Sequence, residues 1–184
     1  MNYIFNKEKL FLRLTKLSKE KNICFALSIC ERLKRNYIIF SDEAKWGNSK
    51  TLENGINYLW TILIEKQKID SELIKNMCSK IEEIAPDTED IFDSENVSYA
   101  LNASAVVYQG LQYLLTDNIK FMVEIATNSM DTIDHYVQIE EDMQGRGEAL
   151  EKRINQHELM QAELKRQEDD LFFLETTEIN GDTI

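Results

Sequence analysis

The stretch "NVSYALNASAVVYQGLQYLL", residues 96–115, decides the fold class. Val97, Ala100, Leu101, Ser104, Tyr108, Leu111 and Leu115 recur at helical spacing, and the Ala, Ser and Val residues between them leave no wide polar face. A helix that is apolar on more than one side is buried on more than one side, so this segment is expected at the centre of a bundle.

Reading outward, Thr116, Asp117 and Asn118 are cap-type residues expected to open a helix with the stripe Ile119, Met122, Val123, Ala126, Met130, Ile133 and Val137. Upstream, a helix is predicted from about Ser71 to Ile84, stopped by Pro86 because the residue before a proline resists the helical basin. Leu52, Ile56, Leu59 and Leu63 mark another helix, with Trp60 beside it. "KWGNSK" (45–50) is a break carrying the turn formers Gly47 and Asn48. Before that break, Ile23, Ala26, Leu27, Cys30, Leu33 and Tyr37 face away from Glu31, Arg32, Lys34 and Arg35, and Leu10, Leu14 and Leu17 mark a short opening helix. At the other end "QGRGE" (144–148) interrupts the pattern. The polar stretch that follows, to about Glu175, is expected to form one long helix with a sparse apolar stripe.

Six glycines and one proline among 184 residues leave little material for turns, and no segment alternates β-branched with polar residues. The expectation is an all-α, single-domain helical bundle of six to eight helices over residues 1–175, with a frayed tail over 176–184. Cys24, Cys30 and Cys78 are an odd number set in apolar patterns without zinc-type spacing, and read as reduced core thiols. Lysines thread the apolar residues of the N-terminus, so no secretory leader is expected, and no stretch approaches the roughly 18 apolar residues that span a bilayer. A cytoplasmic protein is expected.

Charge is unevenly distributed. Residues 1–80 hold 15 Lys and Arg against 9 Asp and Glu, whereas residues 81–184 hold 6 against 24, within a net charge of -12. The two halves therefore face different partners or each other. The acidic excess peaks in "IEEIAPDTEDIFDSE" (81–95), where Glu82, Glu83, Asp87, Glu89, Asp90, Asp93 and Glu95 occur without a Lys or Arg. Turn formation after Pro86 and the favourable meeting of Glu95 with a helix dipole explain part of this set, not all of it. Glu168, Asp169 and Asp170 form a second acidic group. A field of this sign repels phosphate backbones and anionic membranes and steers a basic protein inward.

Catalytic and metal patterns are missing. Neither His135 nor His157 follows a Glu by three residues, as a carboxylate-bridged di-metal bundle requires. The acidic loop lacks the central glycine and ligand rhythm of a calcium hand. No Cys/His or Ser/His arrangement is apparent, and Gly145 and Gly147 break a helix without forming a phosphate cradle. No cofactor is expected, and an enzyme is not favoured.

The segments "ICFALSICERLKRNYIIFSDEAKWGNSKTLENGINYLW" (23–60), "IEEIAPDTEDIF" (81–92), "YALNASAVVYQGLQYLL" (99–115) and "HELMQAELKRQEDDLFFL" (157–174) resemble the YjaG-like bacterial proteins, a small all-helical family of unknown function. The likeness runs from about Leu12 to Leu174 and is weakest over "IEEDMQGRGEALEKRINQ" (139–156). It implies a helical bundle and an acidic loop after a proline, and it brings no catalytic residues. Two functional classes follow: an acidic protein-binding inhibitor, in particular an immunity protein that neutralises a basic toxin such as a nuclease of interbacterial competition, or a homodimeric housekeeping adaptor or scaffold. For the inhibitor, the acidic residues named above are the expected partner-binding set.

Overall fold

Asn6, Ser18, Asn48 and Asp70 each stand just ahead of an apolar stripe, and each side chain accepts a hydrogen bond from a backbone N–H of the turn it opens. Such caps satisfy donors that no intrahelical carbonyl can reach. The computed structural model describes residues 3–88, 94, 96–142 and 147–178. In it the four caps open α1 (Lys7–Leu14), α2 (Lys19–Ala44), α3 (Ser49–Glu65) and α4 (Ser71–Ile84). Next come α5 (Val97–Thr116), α6 (Lys120–Glu140), α7 (Glu148–Gln156) and α8 (Glu158–Thr176). Eight helices and no strand occur among the described residues, so the chain is the single all-α bundle that its periodicity predicts.

α5 is the central helix. It packs against α2, α3, α4 and α6, and Ala100, Ala103, Val106, Val107, Leu111 and Leu114 are buried along it. Missing side chains let α3 come close: a Cβ on Gly55 would lie 2.7 Å from Val107 Cγ1, and one on Gly110 would lie 2.9 Å from Leu59 Cδ1. Around this axis the buried apolar side chains form one main cluster. A smaller cluster joins Val137, Ile154, Met160 and Leu164 where α6, α7 and α8 meet. Apolar burial of this kind contributes about 25 cal/mol per Å², the dominant favourable term in a bundle.

Two boundaries differ from the expected ones. Thr116 and Asp117 close α5 instead of opening α6: Asp117 turns left-handed at φ 56°, and its N–H donates to Tyr113 O. The 148–175 segment is two helices, because His157 is extended at ψ 143° and serves both as the C-cap of α7 and as the N-cap of α8. Its Nδ1 accepts from Leu159 N, so in that tautomer Nε2 carries the proton and donates to Glu141 Oε1 at 2.7 Å. A residue that pairs backward to α6 while capping α8 stops the helix there. Residues 179–184 of the expected tail lie outside the described residues, and Thr176 belongs to α8.

Buried polar groups join elements distant in sequence. Tyr37, fully buried, donates to Ile84 O at 2.7 Å and accepts from Asn48 N at 3.2 Å, holding the end of α4 against the α2–α3 turn. Asn22 donates to Leu14 O and to Tyr113 Oη, both at 3.2 Å, tying α1 and α2 to α5. No disulfide links the cysteines; Cys30 and Cys78 are buried and Cys24 is partly so. Burial pushes the Cys30 thiol up to about 12 and the other two up to about 11, well above the range of a reactive thiolate.

Gly47 and Gly147 separate backbone strain from packing. Both adopt positive φ, 77° and 75°, but a Cβ on Gly47 would lie 2.3 Å from Tyr37 Oη, whereas nothing lies within 4 Å of one on Gly147. Gly147→Ala should therefore cost only the penalty of its backbone, φ 75° with ψ -159°, a region essentially reserved for glycine, about 1–3 kcal/mol. Gly47→Ala should cost about 2 kcal/mol beyond its own positive-φ penalty, since the Tyr37 hydroxyl must leave two hydrogen bonds worth about 1 kcal/mol each. Urea denaturation of Gly47→Ala with Tyr37 and with Tyr37→Phe measures that part, and an equal loss in both backgrounds would remove the Tyr37 hydroxyl as the staple.

Candidate functional site: an acidic edge and a cleft floored by a buried carboxylate

The acidic residues picked out in the sequence divide into two kinds. Those of α8 are spent inside the chain. Glu168 pairs with Arg13 at 2.6 Å, Asp169 pairs with Lys165 one turn earlier, and Asp170 accepts from Arg32 Nη1 at 3.0 Å and from Ser28 Oγ at 2.9 Å. By contrast, Glu82 and Glu83 lie exposed on the last turn of α4 and form no ion pair among the described residues. Asp87 is exposed just after Pro86. Glu89, Asp90, Asp93 and Glu95 lie outside the described residues. Ser94 Oγ and Asn96 Nδ2 both donate to Glu43 Oε2 at 2.7 Å, fixing that end of the acidic segment on α2. Since α4 packs on α3 and α5 while α8 packs on α2, α6 and α7, the structure does not merge the two acidic groups into one patch.

The pairing also draws on three cations of the basic N-terminal half. Arg13 reaches Glu175 as well as Glu168, Arg32 reaches Glu163 as well as Asp170, and Lys19 reaches Asp117. The two halves of opposite charge thus meet each other within one chain. Hydrogen bonding to Arg13 is the main reason that the Glu175 carboxyl lies below its ordinary value. For Tyr108 the larger influence is burial, and the nearby Glu82 charge adds to it; both push the phenol up.

A cleft of about 450 Å³ opens between α2, α5, α6 and α8. Leu33, Ile39, Ile133 and Leu159 supply apolar wall, and Tyr99 and Tyr136 supply aromatic wall with ring centroids 6.3 Å apart. His135 stacks edge-on against Tyr99 at 5.4 Å, which fixes the ring from behind. The floor is polar and charged. Glu163 is 4% exposed, and Arg32 Nη2 (3.1 Å), Ser129 Oγ (2.7 Å) and Gln167 Nε2 (3.0 Å) all donate to its Oε1. A buried carboxylate persists only when paired and hydrogen-bonded in this way. A larger hollow of about 570 Å³ lies between residues 3–5 and α7, but no buried charge lines it.

Glu163 was not among the residues marked in the sequence. Its signal is its register: it lies three residues after Met160 and four before Gln167, on the face that also buries Leu171 and Leu174. A carboxylate on the inward face of a helix needs a partner, and Arg32 is that partner. Among the described residues no group of three or more His, Cys, Asp and Glu side chains is placed to hold a metal ion, and no helix is long and apolar enough to cross a membrane.

Fold and site together define a small all-helical bundle with an acidic exterior and a tyrosine-walled cleft. Residues 9–184 match the family described as "Protein of unknown function (DUF416)", and the chain belongs to that family. An uncharacterized protein of Haemophilus influenzae (strain Rd) is 30% identical over 155 residues, covering 83% of this chain and 75% of that one. The uncharacterized protein YjaG of Escherichia coli K12 is 26% identical over 126 residues, 66% of this chain and 61% of its own length, so the YjaG-like resemblance holds. The crystal structure of a DUF416 family protein from Shewanella baltica OS155 superposes with a TM-score of 0.82 at 25% identity, over 94% of this chain and 87% of that one.

The Arg13 pairs carry a pH signature. Glu175 has its folded pKa below the ordinary 4.5, so its contribution to stability is present above that value and is lost as pH falls through the folded pKa. Half-exposed pairs of this type are worth about 0.2–1 kcal/mol each. Arg13→Ala should lower stability by about 1 kcal/mol at pH 7 and by progressively less as pH falls below 4.5 and through the lowered folded pKa of Glu175. Urea midpoints across that range test it; a pH-independent loss would mean that Arg13 acts through packing alone.

Proposed function

We propose that the protein is a non-enzymatic, acidic protein-binding protein of the cytoplasm, whose partner is a basic protein and not a nucleic acid. In its finer form the proposal is an immunity protein that neutralises a basic toxin, such as a nuclease of interbacterial competition. The observation that carries it is the division of the acidic residues. Internal pairing consumes the α8 set, while Glu82 and Glu83 remain exposed without an ion pair among the described residues, directly before Asp87 and the rest of the acidic segment. Exposed carboxylates without an internal cation are available to a basic partner. Opposed fields of this size raise association rates by orders of magnitude at low salt, and salt removes the gain.

A scaffold assembled by docking the basic half of one copy on the acidic half of another finds less support. Arg13, Arg32 and Lys19 already face carboxylates of their own chain. Stoichiometry separates the two readings. Tagged protein used as bait at low salt should retain one basic protein in equimolar amount, released by a salt step. The variant Glu82→Lys/Glu83→Lys/Asp87→Lys should lose that capture with unchanged helical circular dichroism. Recovery of only the protein's own copies, in a salt-sensitive dimer, would contradict the proposal.

A further inference from the structure

Within the cleft, the two oxygens of Glu163 are not equivalent. Three donors converge on Oε1 and none among the described residues reaches Oε2. The sealed side-chain atoms without a partner, among the described residues, are Asn22 Oδ1 and Arg32 Nε; Oε2 is not one of them and so keeps access through the cleft that Glu163 lines. A carboxylate held rigidly by one oxygen, with the other turned to a cavity, is an acceptor without a donor. Its fellow groups in the network, Arg32 and Asp170, offset each other, so the floor presents a net negative charge.

Arg166 follows Glu163 by three residues on α8, a spacing that places neighbouring side chains on one face, and it lines the same cleft. It makes no ion pair or hydrogen bond with the described residues. Asn36, across the cleft on α2, likewise has an amide without a partner among them. The cavity therefore offers an unfilled acceptor at its floor and unfilled donors at its rim, with tyrosine and aliphatic surface between. A simple cation would meet repulsion from Arg166, and a simple anion would meet it from Glu163. A molecule bearing both charges a few ångströms apart meets neither.

We propose that this cleft binds a small zwitterion of the amino-acid class, with its ammonium on Glu163 Oε2, its carboxylate on Arg166 and Asn36, and its apolar side chain against Tyr99, Ile133 and Tyr136. The volume, about 450 Å³, suits such a molecule and falls within the roughly 300–1,000 Å³ usual for small-ligand sites. This site is separate from the acidic edge, and its test does not involve a protein partner.

The test is calorimetric titration of the full chain with L-phenylalanine, and with two probes that each lack one charge, 2-phenylethylamine and 3-phenylpropionate. L-phenylalanine should bind saturably, and each probe should bind at least about tenfold more weakly. Arg166→Ala, at an exposed position, should weaken L-phenylalanine about tenfold and should not weaken 2-phenylethylamine, whose ammonium loses a repulsive neighbour. Glu163→Gln should weaken both. Should Glu163→Gln not fold, Tyr136→Ala, at a side chain 40% exposed, replaces it and should weaken all three probes. No saturable binding of L-phenylalanine up to about 10 mM, equal affinity for the three probes, or an unchanged affinity in Arg166→Ala would overturn the proposal.

Discussion

Arg32 is the cation on which the architecture of α8 depends. It lies on α2 and extends two parallel arms, one to the buried Glu163 and one to Asp170, while Ser28, Ser129 and Gln167 take the remaining hydrogen bonds. Desolvating a carboxylate costs several kcal/mol unless the interior returns comparable interactions, so the helix can lie down only where these partners wait. One network thereby fastens the last helix to α2 and α6 and lays the floor of the cleft. It also buries one acid of α8, Glu163, and pairs another, Asp170.

That arrangement changes the meaning of the charge asymmetry. A basic half and an acidic half suggest two surfaces for two partners. Part of the opposition is instead satisfied within one chain, through Arg13, Lys19 and Arg32 on one side and Asp117, Glu163, Glu168, Asp170 and Glu175 on the other. At the end of α4, Glu82 and Glu83 remain exposed without an ion pair among the described residues. An acidic edge of that kind and an open, tyrosine-walled cleft are different instruments. The first acts at a distance on a charged protein, and the second acts by contact on a small molecule.

Local physics was legible in the sequence and long-range pairing was not. α4 begins and ends where Asp70 and Pro86 say it should, and α5 is central because small residues occupy the faces that a surface helix would make polar. The individual stripe on α5 was less exact: Val106, Tyr113 and Leu114 are more deeply buried than Leu101, Tyr108 or Leu115, since a helix surrounded by four others has no single inward face. Asp117 reads as a helix opener yet closes one, because an Asp can cap a helix start from extended backbone or, as here, take the left-handed turn that ends a helix. The break at His157 depends on Glu141, sixteen residues away, and the role of Glu163 depends on Arg32, 131 residues away. No periodicity reports contacts at those separations.

A double-mutant cycle on Arg32 and Glu163 tests the central role of this network most directly, read by chemical denaturation of Arg32→Met, Glu163→Leu and the combined variant. Arg32→Met strands the buried Glu163 and should cost about 2 kcal/mol or more, Glu163→Leu leaves Arg32 its pair with Asp170, and the double change removes the stranded charge and should cost less than the sum of the two. Single losses below about 0.5 kcal/mol that simply add would contradict the account and leave α8 held by its apolar stripe alone.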